Sequence, residues 1–238
     1  MSEGEIWDTI ESFAKAAARA KQAGFTGIEI HGANTYLLQQ FFSPFTNKRN
    51  DQWGGDVNLP GRNQLENRSR FSREILKAIR AEVGDDYPIA YRISPEEAEP
   101  FGYSTKDTID FLKILVPYGI DIIHVSSWGY HENLRNDIPQ GSNPTYMIKT
   151  SFPYMPVIGV GGVSLPKQAL EILEQGIEFV ALGKILMLEK DWVKKVLSGD
   201  IDLIQTELHS ESDREQLAIP KRMKEYSKRF FIVDEKLS

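Results

Sequence analysis

Three polar side chains stand within six positions where an apolar run ends: His31, Asn34 and Tyr36, in the segment GIEIHGANTYLLQQFFSP at 27–44. A neutral imidazole donates one hydrogen bond and accepts another, so it can polarise a carbonyl or hold a loop. An asparagine can meet a ligand or cap the turn after a strand, and a tyrosine can serve a site or pack as an amphipathic core residue. Taken together, two donors and a phenol on one strand-end turn can converge on one small ligand.

Further groups follow other apolar runs. Arg92 sits inside YRIS, where an always-charged side chain needs either a carboxylate partner or an anionic ligand. Gly161 and Gly162 close GVGG at 159–162, and Gly183 and Lys184 follow FVAL. Glycines let backbone N–H groups approach an anion closely, so two such clusters with a lysine suit a phosphate; tight turns would use the same residues. GVGGV lacks the spacing of a dinucleotide fingerprint. His124, in IIHVSS, reads as a satisfied core histidine, while His131 and His209 carry no spacing signal. No histidine–carboxylate cluster has metal-ligand spacing, and there is no GxSxG elbow.

The elements that must position these groups alternate regularly. Ile6, Ile10, Phe13, Ala17 and Ala20 fall near one face of a helix over 5–23 that Gly24 should stop, and FTGIEIH follows. A helix around Phe71, Ile75, Ile79 and Val83 ends at Gly84 before PIAYRIS, and one around Ile109, Leu112, Leu115 and Val116 ends near Gly119 before IDIIHVSS. After PVIGVGGV, Ser164 can cap a helix containing Leu170 and Leu173 that ends at Gly176 before FVALGKIL. Five short apolar runs between helices predict parallel βα units, their near-continuous hydrophobicity predicts cover on both faces, and the polar residues all fall at strand carboxyl ends. The pattern suits a (β/α)8 barrel of which five units are visible. NKRNDQWGGDVNLPGRNQLENRSR, at 47–70, reads as a polar loop, and 129–155 carries few periodic signals.

Composition bounds the function. The chain has 238 residues, 41% hydrophobic and 26% charged, enough for a packed globular core. A net charge of −6 argues against nucleic-acid binding, which needs clustered positive charge. No apolar run nears the ~20 residues of a membrane helix, and no secretory segment opens the chain. With no cysteine there is no disulfide, thiolate-held iron–sulfur cluster or cysteine nucleophile. A soluble, cytoplasmic protein is expected.

The combined stretch HGANxYLLxQFxSPxxNxRxDxxGG, with LENRSRF, YRIS, IIHVSS, PVIGVGGV and ALGK, resembles the Old Yellow Enzyme family of flavin-dependent ene-reductases, up to about residue 195. The resemblance implies a (β/α)8 barrel that holds FMN at its strand carboxyl ends and is reduced by NADH or NADPH. It implies that His31 and Asn34 donate hydrogen bonds to the oxygen of an α,β-unsaturated carbonyl and that Tyr36 protonates the α-carbon. By the same token Arg92 stands beside the flavin, and Gly161, Gly162, Gly183 and Lys184 hold its phosphate, with lysine where most relatives carry arginine. Residues 1–195 then form a partial FMN-binding barrel, units four to eight, and 196–238 a helical extension of the same domain.

Two departures from the family pattern stand out. Relatives begin with about three further βα units, which supply flavin contacts, and open sheet edges invite association with a second copy or a complementing N-terminal segment. An apparent insertion at 56–64 separates WGG from LENRSRF. Two readings follow: an FMN-dependent reductase of activated C=C bonds acting on a small enone-type substrate, or an incomplete barrel that keeps the motifs and needs the missing part or a partner chain. A phosphate-binding lyase or isomerase barrel is a third, remote reading.

Overall fold

A computed structural model describes residues 1–54, 64–127, 129–130, 143–208, 215, 217 and 219–220. The expectations for 56–63, for His131 and His209, and for most of the chain beyond 208 lie outside the described residues.

The chain alternates helix and strand. In order it runs α1 (Glu3–Gln22), β1 (Ile28–Gly32), α2 (Leu37–Phe42), α3 (Gln64–Val83), β2 (Ile89–Ile93), α4 (Thr105–Leu115) and β3 (Ile122–Val125). Then come α5 (Pro144–Ser151), β4 (Val157–Gly159), α6 (Pro166–Glu174), β5 (Phe179–Val180), α7 (Ile185–Leu188) and α8 (Trp192–Ser198). The five strands form one parallel sheet in the order β1-β2-β3-β4-β5. Consecutive strands joined through helices and lying side by side are the arrangement of a (β/α) barrel wall, here five strands of it.

Local sequence explains several of the boundaries. Ser2 and Glu5 form a reciprocal capping box that opens α1, and Ser104 with Asp107 does the same for α4. Gly24, Gly84 and Gly119 end the helices they follow with positive φ, as the sequence predicts. Ser164 does not cap α6: its N-cap is Leu165, and the Gln168 side-chain oxygen accepts the N–H groups of Ser164 and Leu165, each at 2.9 Å. The segment read as a loop over 47–70 also shortens, because α3 begins at Gln64. Its first turns hide polar groups, with Arg68 and Ser69 buried and Arg68 Nε donating to the Phe42 carbonyl at 2.8 Å.

One face of the sheet is covered. Ile30, Ile89, Tyr91, Ile93, Ile123, Val125 and Val157 point to the helices and are buried with Phe42, Phe71, Ile75, Ile79 and Phe111. Each such aliphatic side chain contributes about 1.5–3 kcal/mol by leaving water. The opposite, concave face carries Glu29, His31, Arg92, Ile158 and Phe179, of which Phe179 is 51% exposed. Cover on both faces, read from near-continuous apolar runs, is therefore complete on one face only among the described residues, the other face keeping Ala90 and His124 buried but Phe179 exposed. Apolar inner residues such as Ile122 and Ile158 gave the runs their two-sided look, although both are only partly buried. A second small cluster joins Ile185, Leu188, Trp192, Leu208 and Ile219 beyond β5. No helix among the described residues is long and apolar enough to cross a membrane.

Candidate active site

Strand register sets the site. His31 of β1, Arg92 of β2 and His124 of β3 are register partners in one row across three adjacent strands, so their side chains rise from the same concave face. The row lies next to the strand carboxyl ends, beneath the loops that follow them.

His31 folds back on its own turn. Its Nδ1 accepts the Ala33 N–H at 3.2 Å, which leaves the proton of a neutral ring on Nε2. Burial, and then the Arg92 guanidinium, push its pKa below the ordinary histidine value, against the opposing pull of Glu29. His31 is thus a neutral imidazole with one outward donor. Tyr36 stands edge-on to it, ring centroids 5.1 Å apart at 68°, and is 62% exposed at the start of α2. Its hydroxyl has no partner among the described residues.

The turn between them is strained. Asn34 and Thr35 adopt φ of 56° and 62°, left-handed values that cost a non-glycine residue on the order of 1–3 kcal/mol each. Local hydrogen bonds hold them: Asn34 N–H donates to Ser94 Oγ and Thr35 N–H to Gln39 Oε1, both at 2.9 Å. The Asn34 side chain is oriented as well. Arg92 Nη2 donates to Ser126 Oγ at 3.0 Å, and Ser126 Oγ donates to Asn34 Oδ1 at 3.2 Å. With its oxygen engaged, Asn34 keeps its NH2 group as an available donor on the same turn as His31.

Arg92 makes no ion-pair contact among the described residues, although the Glu29 carboxylate lies close enough to feel its charge. The Nε of Arg92 is buried without a hydrogen bond. His124 is only half satisfied: Nδ1 bonds Glu29 Oε2 at 2.6 Å, while Nε2 is buried without a partner. Burial opposes ionisation of Glu29, yet the His124 hydrogen bond and the charge of Arg92 hold its carboxyl below the usual range. Buried polar atoms left open beside a concave surface are what a polar ligand would satisfy.

The glycine clusters end the two neighbouring strands. Gly161 and Gly162 follow β4 with φ of 152° and 65°. A Cβ on Gly161 would lie 2.1 Å from the Tyr130 backbone nitrogen, so only glycine fits there. Gly183 borders open space, and Lys184, exposed and without an ion pair among the described residues, precedes α7. β4 and β5 are paired, so both clusters lie on successive loops at one edge of the sheet. The orphaned Arg92 Nε, the positive-φ glycines and the unpaired lysine fit a cofactor with an anionic edge and a phosphate, as FMN has.

The structure sets His31, Asn34 and Tyr36, which the sequence places on one strand-end turn, beside one another, and Arg92 is the register partner of His31 on the next strand. Sequence reasoning missed Ser94, Ser126, Glu29 and Gln39. The serines end YRIS and HVSS, and their place at strand carboxyl ends was the available signal.

Comparison with known proteins gives the family. Residues 1–202 match the family model described as NADH:flavin oxidoreductase / NADH oxidase. The chain is 41% identical over 213 residues to the NADH:acrylate oxidoreductase of Vibrio harveyi, covering 84% of this chain and 20% of that protein. It superposes on a 2-naphthoyl-CoA reductase in complex with 2-naphthoyl-CoA with a TM-score of 0.74 and 28% identity, covering 86% of this chain and 31% of that one. An Old Yellow Enzyme homologue from Zymomonas mobilis shares the fold, with a TM-score of 0.66 at 24% identity, over 84% of this chain and 54% of that chain. The chain thus spans a fifth of the length of the acrylate enzyme and about half of the smaller homologue. With more than three quarters of its length inside the family match, it belongs to the NADH:flavin oxidoreductase / NADH oxidase family, as its resemblance to Old Yellow Enzyme implied.

Proposed function

We propose that this chain carries the substrate-polarising and flavin-binding face of an FMN-dependent, NADH- or NADPH-linked reductase of activated C=C bonds. The observation that carries the proposal is the ordered pair of donors: His31 Nε2–H, set by its Nδ1 contact to Ala33, and the Asn34 NH2, set by the Arg92–Ser126–Asn34 chain. FMN, when bound, supplies hydride equivalents to the β-carbon of the alkene. The chain's own residues do the rest. His31 and Asn34 donate to the substrate carbonyl oxygen and stabilise the negative charge that grows there. Tyr36 gives its hydroxyl proton to the α-carbon, completing addition of hydride and proton across the double bond.

Arg92 holds a fixed positive charge against the anionic edge of the reduced cofactor. Backbone groups at Gly161, Gly162 and Gly183, with the Lys184 ammonium, hold the phosphate; a lysine supplies charge there without the bidentate fork of an arginine. Acrylate, named in a relative, is a small conjugated carbonyl compound, and enones share its polarised C=C–C=O unit.

A second reading has one observation in its favour. Among the described residues, β1 and β5 each pair on one side only, and the concave face they border is partly open. On that reading the motifs need a complementing segment or partner chain before they bind flavin. One experiment separates the two. The purified chain is mixed with FMN, freed of unbound ligand by gel filtration and examined by visible absorption. A stoichiometric yellow peak of defined size, bleached by NADH or NADPH and recoloured by acrylate without oxygen, is expected. A colourless peak refutes autonomous flavin binding and supports the second reading.

A further inference from the structure

The strained turn that carries Asn34 and Tyr36 is held from a distance. Gln39, buried at 3% exposure, accepts the Thr35 N–H on Oε1 at 2.9 Å and donates from Nε2 to Glu97 Oε1 at 3.0 Å. Glu97, also buried, accepts from Ser43 Oγ on its other oxygen at 2.6 Å, while its backbone N–H donates to the Tyr103 carbonyl at 3.0 Å. Tyr103 in turn donates its hydroxyl to the Ser94 carbonyl at 3.1 Å, and Ser94 Oγ receives the Asn34 N–H. The loop after β2 therefore holds Asn34 directly, through Ser94, and Thr35 indirectly, through Glu97 and Gln39.

Direction matters in this grip. An amide has one donor end and one acceptor end. With Glu97 taking the NH2 end, Gln39 has only its oxygen to offer Thr35, and a buried polar group cannot turn away without losing a partner. Thr35 would otherwise relax toward negative φ, which would swing Asn34 and Tyr36 apart.

We propose that Gln39 and Glu97 are positioning residues for the alkene step. Glu97 orients the Gln39 amide, and Gln39 locks Thr35 left-handed, so that the Asn34 donor and the Tyr36 hydroxyl address one substrate. The step served is the one set out under the proposed function, so the assignment rests on that reading.

The test uses Gln39→Met, which keeps length and loses both bonds, with Glu97→Gln as a milder second variant, and Thr35→Gly added to each. Amide hydrogen exchange at Thr35 reads the grip on the chain without flavin, and stopped-flow with FMN, NADH and acrylate reads the chemistry. Gln39→Met should raise Thr35 exchange by about tenfold or more. It should slow flavin reoxidation by acrylate by roughly tenfold to a hundredfold, with flavin reduction within about twofold of the parent. Thr35→Gly should restore most of the lost alkene rate, since glycine takes positive φ without strain. A merely structural glutamine would slow both half-reactions and gain nothing from Thr35→Gly. Should Gln39→Met fail to fold, Glu97→Gln with and without Thr35→Gly decides the same point. Unchanged Thr35 exchange, or no rescue by Thr35→Gly, overturns the assignment. A parent chain that never turns over, with exchange responding as expected, refutes the functional reading and leaves the grip standing.

Discussion

The two ends of the concave face are built differently. At β1 the turn around Asn34 is held by four side-chain hydrogen bonds: Ala33 N–H to His31, Asn34 N–H to Ser94, Thr35 N–H to Gln39 and Ser126 Oγ to the Asn34 amide oxygen. At β4 and β5 the candidate phosphate groups are the backbone amides of Gly161 and Gly162, both with positive φ, the amide of Gly183 and one exposed lysine, and among the described residues no side chain bonds to these glycines or to Lys184. The contrast matches what the proposed function asks of each end. Polarising a carbonyl needs donors fixed to a fraction of an ångström before the reaction starts. A phosphate carries full charge and many acceptor atoms, so backbone N–H groups and a mobile ammonium suffice.

That comparison can be broken most severely at β1. His31→Ala should lower the rate of flavin reoxidation by acrylate by about 10²–10³-fold, the usual loss for a preorganised donor to a developing oxyanion, with FMN affinity little changed. Single-turnover kinetics check it. Gly161→Ala attacks the other end, where a Cβ would meet the Tyr130 backbone. It should weaken FMN binding and destabilise the chain by more than about 1 kcal/mol, read from FMN titration and chemical denaturation. Lys184→Met is gentler. Loss of one charge at an exposed phosphate contact should raise the FMN Kd by about tenfold at low salt and by less at high salt, leaving the alkene step of the loaded enzyme intact.

The smallest effect sharpens the comparison by pH. Burial and the Arg92 charge lower the His31 pKa, so the folded chain binds fewer protons there than the unfolded one as pH falls. Its contribution to stability is present above the ordinary histidine value and is lost as pH drops through the lower folded value. In NMR titration the His31 ring should titrate below about pH 6.5, and Arg92→Met should move that midpoint upward.

Much of this was legible in the sequence, and the pattern of misses is physical. The five strands announced themselves as short apolar runs between helices, and the cluster His31, Asn34 and Tyr36 is local, so spacing alone placed it on one turn. The groups that orient it are not local. Gln39 and Glu97 are 58 positions apart and Asn34 and Ser126 are 92 apart, and no periodicity connects them. The early start of α3 was hidden for a related reason: Arg68 and Ser69 read as solvent-facing until tertiary partners, such as the Phe42 carbonyl, make their burial affordable. Single-sided cover of the sheet was obscured by Ile122 and Ile158, apolar residues on the face that stays open.

The central claim is that the β1 turn performs the alkene half of a flavin reaction and leaves the pyridine-nucleotide half alone. Tyr36→Phe tests it most directly, because it removes one exposed hydroxyl that bonds nothing else among the described residues. In stopped-flow with the FMN-loaded chain, reduction by NADH or NADPH should stay within about twofold of the parent, and reoxidation by acrylate should slow by about 10²-fold or more. Equal loss in both half-reactions, or no loss in either, would contradict the assignment.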